Sequence, residues 1–189
     1  LNQFTAVVDF TSNTPDEFLR SLVVRNIPVV MVGRQNQLYS VHGVLLDTVL
    51  AASNIGRDLL LGGHRRLATI EGAGRTTLTQ ALRAATARYA PDATVDAATI
   101  NDLPTLIDHG VTAIVCESAG SAKAVRDALE ARDIAVPGRI SVAAVGWTDG
   151  PAPASGYFVK GVDLAEAIIG LLKNVQPGRP TTLWLAGES

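Results

Sequence analysis

The first segment of this chain whose residue types and spacing suggest chemistry is the glycine turn EGAGRTT, Glu71 to Thr77. It lies between an apolar run and a helical one, where the free N–H groups of a helix start can hold an anion. The turn lacks the third glycine of a dinucleotide fingerprint and the Gly-Lys-Ser/Thr of a P-loop. A turn that brings a helix close to a sheet is therefore favoured over a nucleotide site.

Cys116 is the single cysteine and ends an apolar run. A cysteine nucleophile needs a histidine base and an orienting third group, whereas His42, His64 and His109 all fall in expected turns or at helix ends. Cys116 thus reads as a small hydrophobe. No set of His, Cys, Asp and Glu shows metal-ligand spacing, so neither metal nor cofactor is expected. Arg65 and Arg66 follow His64 in a turn and read as a solvated face. Trp147 closes a strand beside the loop WTDGPAPASG, 147–156, at the end where open α/β sheets bind ligands. A stacking contact and a packing aromatic are equal readings for Trp147. Asp149 is a pocket acid or a turn residue.

The elements that must position these residues alternate between short apolar runs and helical segments, which predicts an α/β protein with parallel strands and crossover helices. Strands are expected in TAVVDF from Thr5, IPVVMVG from Ile27, VHGVLLD from Val41, LATIEG from Leu67, TAIVCE from Thr112, RISVAAVG from Arg139 and TTLWLAG from Thr181. Helices are expected from Thr14, with Thr14 as cap and Pro15 in the first turn, and from Asp47 to the Gly62-Gly63 stop. Three more are expected: over TLTQALRAATARYA, over SAKAVRDALEARD, and from Asp163 to about Val175 before a Pro-Gly-Arg-Pro turn.

Composition narrows the class. The chain has 189 residues, 47% hydrophobic and 18% charged, enough apolar material for a packed core and too much for general disorder. The apolar runs are strand-sized, well short of the roughly 20 residues of a membrane span. Sixteen basic against eighteen acidic residues, net charge -2, with no basic block, leave no footprint for DNA phosphates. One cysteine forbids an internal disulfide and favours a reducing cytoplasm. No signal peptide is visible, and the start just before an apolar strand suggests a fragment.

Three blocks carry a family likeness. The stretch VLLDTVLAASNIGRDLLLGGHRRLATIEG, with Asp47, Gly63, His64, Arg65, Arg66 and Gly72 at matching spacing, resembles the lactose/galactose-repressor (LacI/GalR) family of bacterial transcription regulators. IPVVMVGR from Ile27 resembles the strand before that segment. TAIVCES, Ala122, Ala128, Leu129 and IAVPGRISV from Ile134 resemble the third block.

The resemblance implies the effector-binding and dimerisation domain of such a regulator, non-enzymatic and cytoplasmic. The fold is then two-lobed and periplasmic-binding-protein-like, with doubly wound parallel sheets. Residues 1–43 and 163–180 would form a first lobe truncated at its N-terminus, and residues 44–162 and 181–189 a second. A small effector would sit in the inter-lobe cleft, and operator DNA would be contacted only through an absent N-terminal helix-turn-helix part. A homodimer is implied, with Phe18, Leu22 and Val23 of the first helix adding apolar material.

The effector residues would be Arg75, Ser118, Trp147, Thr148 and Asp149, at strand ends on one edge. The chain departs from the pattern in carrying Ser118-Ala119 for the usual Asn-Asp, Gly33 for an acid and Leu78 for a glycine. With fewer polar partners for hydroxyls, the effector is expected to be sugar-like or partly apolar or anionic. A periplasmic solute-binding protein and a Rossmann-like enzyme are the alternatives.

Overall fold

The computed structural model describes residues 5–10, 14–34, 41–72, 74–149, 154–174 and 179–189. Ala73 of the glycine turn, residues 150–153 of the long loop, Val175 and residues 177–178 of the Pro-Gly-Arg-Pro turn lie outside them. The backbone divides into two compact units, Leu1–Leu46 with Gly161–Leu185, and Asp47–Lys160 with Ala186–Ser189.

The first unit holds four parallel strands in the order β1 (Val7–Asp9), β2 (Val29–Val32), β3 (His42–Leu46) and β9 (Thr182–Leu185). Strands covered on both faces read as continuous apolar runs, and all four residues of β2 are buried. Helix α1 (Asp16–Val24) lays Leu19 and Leu22, one turn apart, on Val29, Met31 and Val41. Its cap position is Pro15, one residue after the expected Thr14, and Asp16 and Glu17 stand in the first turn at the positive helix end. Leu22 is spent on this core, while Phe18 and Val24 are 51% and 73% exposed. Helix α6 (Gly161–Lys173) buries Ile168 and Leu171. The run TTLWLAG, expected with the second lobe, pairs with β3 in register Val44 to Leu183, and only Ala186–Ser189 belongs to the second unit.

The second unit holds five parallel strands in the order β5 (Thr94–Ala98), β4 (Arg66–Ile70), β6 (Ala113–Cys116), β7 (Ser141–Thr148) and β8 (Ser155–Lys160). Helices α2 (Thr48–Leu61), α3 (Thr77–Tyr89), α4 (Leu103–Asp108) and α5 (Ala119–Glu130) accompany them. Asp47 caps α2 as expected, accepting from the Leu50 N–H at 2.9 Å. Helix α2 approaches α3 so closely that a Cβ on Gly56 would lie 2.9 Å from the Ala85 Cβ. One side of the sheet packs Ile70, Ile114, Val142 and Ala144 against Val125 and Leu129 of α5 and Leu103 and Leu106 of α4.

The Gly-His-Arg-Arg turn is a clamp at the amino-terminal edge of this sheet. His64 Nδ1 lies 3.0 Å from Thr112 Oγ1, and His64 Nε2 lies 3.3 Å from Ser141 Oγ, which joins the starts of β4, β6 and β7. Arg65 donates to the carbonyls of Leu60 and His64, and Arg66 donates to the carbonyl of His109. Both arginines are exposed, as expected of a solvated face, and their guanidiniums also tie loops together.

Candidate functional site

All five strands of the second unit run the same way, so the residue after each strand falls on one carboxyl edge. The register Ile70 to Cys116 sets Glu71 level with Glu117. These two acids, absent from the sequence-derived site, organise the edge.

Glu71 follows β4 and turns its carboxylate onto the start of α3. It accepts from the N–H groups of Leu78 at 2.8 Å and Thr79 at 2.9 Å and from the Thr79 hydroxyl. That hydroxyl, 2% exposed with its residue, also meets Thr69 Oγ1 at 2.6 Å, locking β4 to α3. Glu117 follows β6 and bridges to the glycine turn. Its Oε1 accepts from the Gly72 N–H at 2.7 Å, and Oε2 accepts from Arg75 Nη1 at 3.4 Å. A Cβ at 72 would stand 3.1 Å from Glu117 Oε1, so the carboxylate would have to give by a few tenths of an ångström. The N–H groups of Gly72, Leu78 and Thr79 and the Arg75 guanidinium are thus met by the chain's own carboxylates.

Of the expected residues, the structure brings Arg75 into this cluster, with its side chain 66% exposed and the Glu117 carboxylate 24% exposed. Ser118 sits on the same edge, but its hydroxyl caps α5. It accepts from the Ser121 N–H at 3.0 Å while Ser121 Oγ returns the bond to the Ser118 N–H. Trp147 and Thr148 end β7, beyond the level of β6. The register Ala144 to Cys116 puts Trp147 three residues, about 10 Å, past Cys116. Trp147 pairs with Val159 and Thr148 with Lys160 on β8, and Asp149 follows, exposed. Lys160 is 3.1 Å from Glu188. The edge therefore carries Glu71, Glu117 and Asp149 against Arg75, with Lys160 paired to Glu188, a balance unfavourable to a free anion.

Burial pushes the Cys116 thiol up to about 12, which removes it as a thiolate nucleophile at neutral pH. Among the described residues, no group of three or more His, Cys, Asp or Glu could hold a metal ion. A cavity of about 280 Å³ opens at the opposite, amino-terminal edge, between Leu59, Val136, Pro137, Ser141 and Arg126, and holds none of the expected site residues. In the first unit, the carboxyl edge bears an ion pair between Arg34 and the buried Asp9 at 2.8 Å. The sequence signal for Glu71, Glu117 and Asp9 is one and the same: an acid at, or directly after, the carboxyl end of an apolar strand.

No family model matches the chain, and no curated protein sequence matches it. Solved structures do. A LacI transcriptional regulator from a Rhodococcus species has a TM-score of 0.75 at 21% identity, covering 98% of this chain and 76% of that one. The regulator CcpA of Lactococcus lactis has a TM-score of 0.76 at 21% identity, covering 98% and 76%. The LacI-family CcpA from Weissella paramesenteroides, solved with bound sucrose, has a TM-score of 0.74 at 13% identity, covering 97% and 74%. At these identities the likeness establishes the fold: two parallel-stranded α/β units of the periplasmic-binding-protein-like type found in LacI-family regulators.

Proposed function

We propose that this chain is the effector-binding domain of a bacterial LacI-type transcription regulator, its two units being the two lobes of that domain. The observation that carries the reading is the pairing of this fold with a polar cluster at a sheet's carboxyl edge, where open α/β sheets take their ligands. Arg75 supplies an exposed fork, and Glu117 a carboxylate acceptor beside it. Trp147 supplies an apolar wall and Asp149 an acid, with Thr148 between them; Ser118 contributes through the helix it caps. A structural neighbour was solved with sucrose, which supports a small polar effector for this chain as well.

The domain works without catalysis in the cytoplasm. Effector binding shifts a two-state equilibrium and so changes operator affinity. DNA contact falls to another part of the regulator, since net charge -2 with no basic block offers phosphates nothing. A symmetric operator is read by a symmetric protein, and the exposed Phe18 and Val24 of α1 are apolar material for a homodimer. No described helix is long and apolar enough to cross a membrane.

The test is calorimetry with a panel of mono- and disaccharides, sucrose included, on the wild type and on Arg75→Ala. Losing a charged hydrogen-bond donor costs about 1.5 to 3 kcal/mol, so a ligand held by Arg75 weakens by roughly tenfold to a hundredfold. Unchanged affinity for a sugar that binds the wild type would remove this edge from the function.

A further inference from the structure

Glu117 ties the end of β6 to the glycine turn that follows β4. A carboxylate crosses from the end of β6 to a turn 45 residues earlier and seats one oxygen 2.7 Å from the Gly72 N–H and the other 3.4 Å from the Arg75 guanidinium. A backbone N–H and an arginine fork, converging from one turn, are the two donors with which proteins bind a phosphate or a carboxylate. Glycine at 72 leaves room for an oxygen that a Cβ would crowd at 3.1 Å. The neighbouring N–H groups of Leu78 and Thr79 are already spent on Glu71.

We propose that Glu117 is a built-in anion that occupies the Gly72–Arg75 locus and makes it a specificity device, closing it to free anions and admitting uncharged ligands that bring hydrogen-bond donors. The inference rests on the reading of this edge as the ligand site. An incoming phosphate would have to displace a carboxylate that the chain holds at high effective concentration, or else lie beside it, and like charges set together are strongly unfavourable. A hydroxyl or amino group meets no such barrier. It donates to the exposed part of Glu117 and accepts, where it can, from Arg75, whose side chain is 66% exposed. Asp149 and Glu71 on the same edge reinforce the preference, and the anionic effector expected from the sequence is thereby disfavoured.

The experiment titrates the whole ¹⁵N-labelled chain with inorganic phosphate at constant ionic strength, reading the Gly72 amide and the Arg75 side-chain N–H by NMR. The wild type is expected to show no saturable shift. Glu117→Gln keeps an acceptor for Gly72 but no charge, and is expected to bind phosphate about tenfold or more tighter than the wild type. The gain is expected to vanish in the Glu117→Gln/Arg75→Ala double variant. Glu117→Ser, whose short side chain leaves both donors open, is the second route to the same gain, and a cooperative melt confirms that each variant is folded.

Saturable binding to the wild type as tight as to Glu117→Gln overturns the proposal, as does folded Glu117→Gln and Glu117→Ser protein that gains nothing. Failure of the functional reading looks different. In that case Glu117→Gln gains phosphate through Arg75, while Arg75→Ala leaves the affinity for a bound sugar untouched.

Discussion

Removing the Glu71 carboxylate should loosen the start of α3, and the structure supplies the size of the effect. The carboxylate accepts two helix N–H groups, at 2.8 and 2.9 Å, and the Thr79 hydroxyl. Leu78 and Thr79 are 0% and 2% exposed, so water does not readily replace the lost acceptor. Loss of a capping side chain costs about 0.5 to 2 kcal/mol, and a buried donor left unpaired costs about 1 to 3 kcal/mol. Thr79 keeps its contact with Thr69 at 2.6 Å, which offsets part of this. Glu71→Ala is therefore expected to destabilise by about 2 to 4 kcal/mol, equivalent to roughly 5 to 15 °C in Tm for a chain of this size. Glu71→Gln, which retains one acceptor oxygen, should lose about half as much. Urea unfolding followed by circular dichroism measures the difference, and amide exchange at Leu78 and Thr79 localises it. A Glu71→Ala protein within about 0.5 kcal/mol of the wild type, with those amides still protected, would refute the argument.

Gly56→Ala gains up to about 1 kcal/mol in helix propensity, yet its Cβ would meet Ala85 at 2.9 Å, an overlap costing about 1 to 3 kcal/mol; denaturant unfolding should show a net loss. Burial lowers the pKa of both His42 and His64 below the ordinary 6.5, and His42 Nδ1 accepts from the Thr181 N–H at 3.2 Å, a bond that protonation removes. Unfolded chains then bind these protons first, so the contribution of the two imidazoles is intact above about pH 6.5 and falls as pH drops through that value. Unfolding free energies at about pH 7.5 and 5.5 should differ less in a His42→Gln/His64→Gln variant than in the wild type. With its thiol at about 12 and fully buried, Cys116 should resist iodoacetamide in the native protein at neutral pH and react once urea unfolds it.

The sequence by itself determined which segments are strands and helices wherever burial was heavy. IPVVMVG, LATIEG, TAIVCE and RISVAAVG became β2, β4, β6 and the body of β7, because a parallel strand covered on both faces must be apolar throughout. The Asp47 cap was legible too, since its chemistry is local to one turn. The edge strands of the five-stranded sheet escaped. In β5 only Val95 is buried, and β8 starts in a Ser-Gly pair after a Gly/Pro/Ala loop, so neither shows a run that stands out from a loop.

Only tertiary structure decided which strands are neighbours. β9 joins β3, and Thr181 meets His42 across 139 residues, because the pairing depends on long-range register that no local pattern encodes. The site follows the same division. Arg75 and Ser118 stood out by type and position, but whether each is free for a ligand depended on partners far along the chain. Arg75 is met by Glu117, and Gly72 and Glu117, 45 residues apart, touch because two parallel strands end level with each other. A carboxylate one residue past a strand looks alike in every sequence. Its role is set by what the neighbouring strand delivers to the same edge.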